Sequence, residues 1–364
     1  MSDPIHIPLN LAGGRRSDIH IGDGILGRLP ERLAATGGLR KRAALVSDTN
    51  VWPLHGERVA ETLREAGYEV VPISVPAGEE SKSMERATDI CRQMLRAGLD
   101  RQSFLIALGG GVVGDLAGFA AAIFQRGIPC VQIPTTIVAQ VDSSVGGKTG
   151  VNTPEGKNLL GAFHQPRLVV ADVATLQTLP DREYNEGFAE VIKHAAIRDA
   201  ALLERIETRG KSRENLVPLI ARNVAIKAAV VEEDERETTG IRALLNFGHT
   251  IGHGIENAAG YGRLLHGEAI SLGLVAAARL SVEFSTLPEA DAHRIIAALE
   301  AFDLPTRLDA SSDREAILKA LLRDKKFEEG KVRFVLLRAL GDAFVSEDVD
   351  LPAIHEAVQT LFGP

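Results

Sequence analysis

The sequence predicts two domains: an α/β domain over residues 1–180, with a Rossmann-like parallel sheet covered by helices on both faces, and a mostly α-helical domain over residues 181–364. Short apolar runs alternate with amphipathic helical stretches in the first half, which is the order of βαβ units. After about Pro180 such runs become scarce and amphipathic stretches dominate. A glycine cluster directly follows one of the early apolar runs. An active site is expected in a cleft between the two domains.

The individual elements follow from the spacing of apolar residues. The short apolar runs predicted as strands are 43–46, 70–75, 104–108 and 129–133. A helix is predicted between the first two runs, because Val59 and Leu63 are four residues apart. The next helix is predicted to bury a face formed by Met84, Ala87, Cys91 and Leu95. In the second half only Val332–Leu337 clearly predicts a strand.

Composition and charge exclude several functional classes. The chain has 364 residues, of which 45% are hydrophobic and 25% charged, as in an ordinary globular protein. The 41 basic and 49 acidic residues give a net charge of −8, which argues against binding to nucleic acid or an anionic membrane. Cys91 and Cys130 are too few for a disulfide framework or a cysteine zinc site. The apolar run Ala269–Ala278 is too short to span a membrane, so a soluble cytoplasmic protein is expected.

The glycine cluster 109–114 lies between a predicted strand and a predicted helix. Gly109, Gly111 and Gly114 match the G-x-G-x-x-G pattern, in which the backbone and a helix N-terminus approach a pyrophosphate. The cluster follows a third strand rather than the first, and no acidic residue about 20 positions later is placed to bind a ribose. Dinucleotide binding is therefore predicted, and a simple tight turn between strand and helix stays open.

A second glycine-rich segment, Ser143–Thr149, resembles the end of a Walker A loop. The Walker template requires glycine where Asp142 stands, so an ATPase or kinase is disfavoured. Lys148 can still contact a phosphate as a point charge, and a solvated turn lysine is the alternative.

Histidines concentrate in two short segments and suggest a metal site. His249 and His253 are four residues apart on a predicted helix, and Asn246 is predicted to share their face. The other candidates are His266 and, on a separate predicted helix, Glu190 with Lys193 and His194. Two histidines and one carboxylate leave a coordination position open, as in catalytic zinc or ferrous iron sites. The spacing does not select the three ligands, and core histidines remain the alternative.

Basic residues lie in or beside many of these motifs. They are Arg126, Lys148, Lys157, Lys193, Lys227, Arg242, Lys325 and Lys326. Each of them singly fits a solvated surface charge, but together they suit a substrate that carries a phosphate and a second anion. The residues alone thus predict a metal- and NAD-dependent enzyme that acts on a polyhydroxy anion.

Nine short motifs occur in unbroken order between about Asp48 and Lys326. They are 109–115, 125–127, 134–136, 141–149, 156–158, 189–193, 246–250, 265–268 and 324–326. In this combination the chain closely resembles the 3-dehydroquinate synthase family of sugar phosphate cyclases. The resemblance implies a dehydroquinate-synthase-like fold, with an NAD-binding α/β domain, a helical metal-binding domain and a homodimer.

The resemblance also implies a reaction. The expected enzyme is a carbon-oxygen lyase that converts 3-deoxy-D-arabino-heptulosonate 7-phosphate to 3-dehydroquinate and phosphate in the shikimate pathway. Transient oxidation by NAD, phosphate elimination, reduction and an intramolecular aldol closure are the implied steps. The alternatives are a sibling cyclase for another sugar phosphate, a metal-dependent NAD polyol dehydrogenase, and a regulatory protein that has lost turnover.

Residue roles carry over by motif. By resemblance, the family's metal ligands correspond to Glu190, His249 and His266 of this chain. They imply one divalent ion, with zinc favoured over cobalt. His253 is then left to face the substrate. The cofactor contacts resemble Asp48, Asn50, Glu79, Lys82, Gly110, Gly111, Asp115, Thr135, Thr136, Asp142, Lys148, Lys157 and Thr178. The substrate and catalytic residues resemble Arg126, Lys148, Asn158, Lys193, Lys227, Arg242, Asn246 and His253. Arg126 is expected at a phosphate, with contact across the dimer as one option, and the choice between Lys325 and Lys326 stays open.

Overall fold

A computed structural model describes residues 3–260, 263–322, 327–328 and 331–362. Contacts divide the chain into two compact units, which are described separately below. The first unit comprises Met1–Pro180 and Asn215–Arg236, and the second comprises Asp181–Glu214 and Glu237–Pro364. Within the described ranges, no helix is both long and apolar enough to cross a membrane.

The first unit is built on a seven-stranded sheet. Its strands are β1 (Ile5–Leu11), β2 (Arg15–Gly22), β3 (Arg42–Asp48), β4 (Glu69–Val75), β5 (Phe104–Gly109), β6 (Cys130–Pro134) and β9 (Leu168–Asp172). Their order is β1-β2-β9-β6-β5-β3-β4, and only β1 and β2 pair antiparallel. A separate antiparallel hairpin is formed by β7 (Lys148–Thr153) and β8 (Gly156–Phe163). The predicted parallel α/β sheet is confirmed.

Helices cover both faces of this sheet. They include α1 (Leu29–Thr36), α2 (Glu57–Glu65), α3 (Met84–Arg96) and α4 (Gly111–Ile123). Because side chains alternate along a strand, Leu45 joins the apolar core with α1 and α2, whereas Val46 joins the core with α3 and α4. The predicted face of α3 is wrong at its two ends, since Met84 is 37% and Leu95 53% exposed. The helix instead turns Ala87, Ile90 and Met94 into the core.

A second segment of the first unit comes from the second half of the chain. The predicted boundary near residue 180 assigns residues 215–236 to the helical domain. In the structure this segment groups with the first unit, because its helix α8 (Val217–Glu233) packs against β1 and β2. The Asn10 backbone N–H also donates to Glu232 at the end of α8, with 2.5 Å between N and Oε1.

The second unit is mostly helical, as predicted. Its helices are α5 (Asp181–Glu186), α6 (Phe188–Arg198), α7 (Ala200–Arg209), α9 (His249–Ala259), α10 (His266–Phe284), α11 (Glu289–Ala301), α12 (Arg314–Leu322) and α13 (Leu351–Thr360). Its short strands are β10 (Phe327–Glu328), β11 (Lys331–Val332), β12 (Phe334–Ala339) and β13 (Asp342–Ser346). Strand β12 overlaps the predicted run, and its antiparallel partner β13 was not predicted.

Candidate active site

The predicted cofactor residues of the first unit gather at one edge of the sheet. Asp48 ends β3, Gly109 ends β5, and Thr135 follows β6. These three parallel strands are neighbours, so their carboxyl ends share this edge. The chain runs from β3 outward to β4 and then returns to β5 on the opposite side of β3. Such a switch in strand order creates the crevice in which open α/β sheets bind their ligands.

The glycine cluster forms the turn from β5 into α4. Gly110 is the N-cap of α4, as the pattern predicts. A Cβ atom at Gly110 would lie 3.1 Å from Thr136 Cγ2, and one at Gly114 would lie 2.9 Å from Gln132 Oε1. Close packing therefore explains the glycines without a ligand. The case for dinucleotide binding rests on the position of this turn, where helix N–H groups lie at the switch in strand order.

Several predicted polar residues of the first unit are held by ion pairs and hydrogen bonds. Lys82 Nζ lies 2.6 Å from Asp115 Oδ2, and burial raises the pKa of Asp115 although Lys82 opposes the shift. Lys227 Nζ donates to Asp142 Oδ1 at 2.7 Å. The Asn152 side chain donates to Glu79 at 2.8 Å, and Thr178 is hydrogen-bonded to His55 at 2.9 Å. These pairs fix the side chains before any ligand arrives.

The remaining predicted residues of this unit lie in turns and on the β7–β8 hairpin. Lys148 is exposed and begins β7, so the strand-loop-helix geometry of a Walker A site is not formed there. Asn158 has a φ of +57°, and its backbone N–H donates to Asn152. Arg126 is exposed in a turn with a φ of +70°. Exposure and turn geometry leave these side chains accessible to a ligand.

Three helices of the second unit bring together the predicted metal ligands. Glu190 lies in the first turn of α6, while His249 and His266 begin α9 and α10. Their ligand atoms lie within 4.8 Å of one another. Glu190 Oε1 is 3.4 Å from His249 Nε2 and 3.5 Å from His266 Nε2. Glu190 is fully buried, so the cluster is enclosed on its carboxylate side.

Close backbone contact between α9 and α10 produces this convergence. Gly248, directly before α9, has a φ of +78°, which favours glycine. A Cβ atom at Gly273 would lie 2.0 Å from the Gly248 carbonyl oxygen, so only glycine permits this approach. Gly248, with its left-handed backbone conformation, also separates Asn246 from α9. Asn246 ends a 3-10 turn, and the prediction that it shares the helical face of His249 is wrong.

The pKa values of His249 and His266 are shifted in opposite directions. Burial, together with the nearby charge of Lys193, holds the pKa of His249 well below its usual value. Burial alone would also lower the pKa of His266, but hydrogen bonds to Glu190 and Glu256 raise it to about 10. Lys193, one turn after Glu190 and 1% exposed, forms an ion pair with Glu190. A cation at this cluster must therefore compete with a proton on His266.

The donor set fits a divalent metal. One carboxylate and two imidazoles within reach of a common centre match the ligand types of zinc and of other borderline ions. Three protein ligands would leave a coordination position for a substrate oxygen. A second group, His253, Glu256 and His266, also has its ligand atoms within 4.8 Å. His266 belongs to both groups, so the geometry around His266 leaves two candidate ligand sets.

Two acidic residues beside the cluster were not predicted. Glu256 contacts His266 Nδ1 at 3.4 Å. Glu186 accepts the backbone N–H of Gly267 at 2.6 Å, and burial raises the pKa of Glu186 to about 7. The position of Glu256, three residues after His253, was a usable signal, because residues at this spacing share a helix face. Nothing in the sequence around Glu186 indicated its contact.

Fold and site together define a class. The chain has an α/β unit with a candidate ligand-binding edge of the sheet and a helical unit with a candidate metal site, as in sugar phosphate cyclases. The model of the 3-dehydroquinate synthase N-terminal family matches residues 72–186, and the C-terminal family model matches residues 187–327. The chain is 49% identical to the 3-dehydroquinate synthase of Caulobacter vibrioides, over 96% of both chains. It belongs to the 3-dehydroquinate synthase family.

Solved structures agree with this assignment. A 2-deoxy-scyllo-inosose synthase complexed with carbaglucose-6-phosphate, NAD⁺ and Co²⁺ has a TM-score of 0.88 and 27% identity, covering 97% of this chain and 99% of the other. The 2-epi-5-epi-valiolone synthase of Streptomyces hygroscopicus, with NAD⁺ and Zn²⁺ bound, has a TM-score of 0.86 and 30% identity, covering 95% and 96%. Both are similar to this chain along nearly its whole length.

Proposed function

We propose that the protein is a 3-dehydroquinate synthase, which converts 3-deoxy-D-arabino-heptulosonate 7-phosphate to 3-dehydroquinate and phosphate. The observation that carries the proposal is the cluster of Glu190, His249 and His266, in which Glu190 and His249 are buried, beside the buried Lys193. The chain matches the family models through both units. Curated relatives with 47–49% identity over nearly the full chain carry the same enzyme name. The reaction belongs to the shikimate pathway, which leads to chorismate and the aromatic amino acids.

The cofactors that we propose are NAD and one divalent metal, with zinc favoured. The similar cyclases described above contain NAD⁺ with Co²⁺ or Zn²⁺. When bound, NAD supplies a transient hydride acceptor and the metal supplies a Lewis acid. Glu190, His249 and His266 would hold the metal. Because the substrate is oxidised first and reduced again in a later step of the proposed sequence, the overall reaction has no net redox change.

In the first unit we assign cofactor binding to the carboxyl edge of the sheet. Asp48 Oδ1 accepts the backbone N–H groups of Asn50 and Val51, each at 2.8 Å, which fixes this carboxylate at the end of β3. We assign its other oxygen to a ribose hydroxyl, the role for which the glycine cluster lacks a nearby acid. The N-terminus of α4 at Gly110 and Gly111 would receive the pyrophosphate.

We assign the chemistry of elimination mainly to fixed positive charge. Lys193 is buried against Glu190 and would oppose charge that develops on a substrate oxygen. Lys148 and Arg126, both exposed in the first unit, would contact the phosphate. The substrate's own phosphate can accept the proton, so the chain need only orient the reacting atoms. His253 is assigned as a proton relay, and Arg242, Asn246, Asn158 and Lys227 as further substrate contacts.

Three expectations from the sequence stay predictions. A homodimer and a cytoplasmic location agree with the family assignment but have no direct observation behind them. Lys325 and Lys326, one of which is expected at the substrate, lie outside the described residues.

The proposal is tested with the purified protein, 3-deoxy-D-arabino-heptulosonate 7-phosphate, zinc and a catalytic amount of NAD⁺. Phosphate and 3-dehydroquinate are measured together while NADH absorbance is followed. We expect many phosphates released per NAD⁺, an equal amount of 3-dehydroquinate and no accumulation of NADH. Turnover with a different sugar phosphate alone would indicate a sibling cyclase. Stoichiometric NADH would indicate a dehydrogenase and contradict the proposal.

A further inference from the structure

His249 and His266, the two histidines of the candidate metal site, orient their ring nitrogens in the same way. The Nε2 atoms of His249 and His266 both face Glu190 Oε1, at 3.4 and 3.5 Å. Their Nδ1 atoms both face an acceptor outside the cluster. For His249 this acceptor is the Phe247 carbonyl oxygen at 3.2 Å, and for His266 it is Glu256 Oε2 at 3.4 Å. One ring is thus held by a neutral carbonyl and the other by a carboxylate.

Glu256 is built into its position by the helix that also carries His249 and His253. It follows His253 by three residues on α9, and its side chain is only 11% exposed. His266 begins a different helix, α10, so the helix that carries Glu256 does not itself hold the His266 ring in place. The contact between Glu256 and His266 therefore fixes the ring of one helix against the other, at the point where the ligand atoms must converge.

Glu256 can have one of two roles at the metal site. Which ring nitrogen of His266 faces Glu256 distinguishes them. As a ligand, Glu256 would share an ion with His253 and His266, whose ligand atoms also lie within 4.8 Å. As an outer partner, it would accept the Nδ1–H of His266 while Nε2 binds the ion. The parallel with His249, whose Nδ1 faces a backbone carbonyl, favours the second interpretation. Ligating histidines in metal sites usually donate their second N–H to a carboxylate or carbonyl.

We propose that Glu256 is a positioning residue that accepts the Nδ1–H of His266 and so directs His266 Nε2 toward the metal held with Glu190 and His249. The inference rests on the proposed function, because it requires a metal at this cluster. It deepens that proposal by naming a group that sets the metal affinity without binding the ion. A carboxylate at Nδ1 fixes the tautomer and increases the basicity of Nε2.

The test measures zinc affinity by competition with a chelator of known affinity, using the full chain stripped of metal and reloaded. The variants are E256A, E256Q, H266A as a ligand deletion, and E283Q as a control for an exposed glutamate on α10. We expect E256A to lose about 10- to 100-fold in zinc affinity. E256Q keeps an acceptor without the charge, so it should lose less, and it also tests the role if E256A does not fold. H266A should lose more than E256A, and E283Q should equal the wild type.

The Co²⁺ form supplies a readout independent of activity. Its visible absorption bands report the number and type of ligands, so E256A should keep the wild-type band pattern with weakened binding. Wild-type zinc affinity in both E256A and E256Q would overturn the inference and leave the proposed function intact. A loss in E256A as large as in H266A, with altered Co²⁺ bands, would also overturn it, since Glu256 would then be a ligand. A wild-type protein that binds no zinc would overturn both the inference and the proposed metal-dependent function.

Discussion

The carboxyl edge of the sheet in the first unit and the histidine cluster in the second unit differ in how closely their binding atoms are brought together without a ligand. At the sheet edge Asp48 and Gly109 end separate strands, and other predicted residues are held in pairs, such as Lys82 with Asp115. In the cluster, three side chains from three helices place their ligand atoms within 4.8 Å. A dinucleotide can be bound by backbone groups spread along an edge, whereas a metal ion needs converging side chains. Packing must therefore fix the cluster more tightly than the edge.

The largest expected effect separates the two regions. Replacing His249 by alanine removes a proposed ligand, so zinc affinity and turnover should fall by more than the roughly 100-fold expected for an outer partner. NAD⁺ binding, measured by calorimetry, should stay near the wild-type value because His249 belongs to the second unit. H293A, on the exposed face of α11, is the control. Equal losses of zinc and NAD⁺ binding would contradict the assignment of His249 to metal binding alone.

A second comparison uses a charge on the first unit. Lys148 is exposed at the start of β7, so K148A should fold normally. If Lys148 counters charge on the departing phosphate, the turnover number should fall by about 10²-fold, the typical cost of losing one stabilising group. NAD⁺ affinity should change far less. K319A, on the second unit, should behave as wild type, and parallel losses of turnover and NAD⁺ affinity in K148A would refute the assigned role.

A pair of glycine variants tests whether packing builds the cluster. A methyl group at Gly273 would meet the Gly248 carbonyl oxygen at 2.0 Å, so G273A should move α9 and α10 apart. A loss of about 1–3 kcal/mol in the free energy of unfolding is expected, together with weaker zinc binding. At Gly114 the added methyl group meets only the end of the Gln132 side chain. G114A should keep its zinc affinity, and the comparison fails if both variants lose it alike.

The smallest effect concerns the β1–β2 hairpin, remote in sequence from both sets of predicted residues. His20 stacks on His6 with 4.6 Å between ring centroids, and its Nδ1 lies 3.3 Å from Arg32 Nη1. Burial first, then the charges of His6 and Arg32, lower the pKa of His20 to about 4. The unfolded chain, with a pKa near 6.5, binds more protons, so stability falls as the pH drops from about 6.5 toward 4.

Urea denaturation at pH 7 and pH 5 measures this contribution. The wild type should lose about 1 kcal/mol through His20 over this range, after allowance for the partial exposure of the ring. H20Q should be less sensitive to pH, while H293Q should match the wild type. The same loss in H20Q and wild type would show that His20 does not govern the acid response.

The sequence predicted the fold class well because periodic apolar runs report local structure. It did not reveal that residues 215–236 pack with the first unit, since α8 is an ordinary amphipathic helix whose partner strands, β1 and β2, lie 200 positions earlier. Asn246 was misplaced for a local reason, because a left-handed Gly248 interrupts the apparent helical spacing.

Motifs could indicate which residues form the candidate metal site, but not the tertiary contacts that bring them together. Motif resemblance selected Glu190, His249 and His266, whereas spacing alone could not choose among the histidines. The contact between His266 and Glu256 joins two helices and depends on their packing, so only the structure reveals it. Residue types can be read from motifs, but the partners that orient them depend on tertiary contacts.

The most direct test of the account is a crystal structure of the zinc-loaded protein with anomalous data collected at the zinc edge. The account predicts one strong anomalous peak at about 2.0–2.2 Å from Glu190, His249 Nε2 and His266 Nε2, with Glu256 in contact with His266 Nδ1. A peak bound instead by His253, Glu256 and His266, with Glu190 paired only to Lys193, would contradict it.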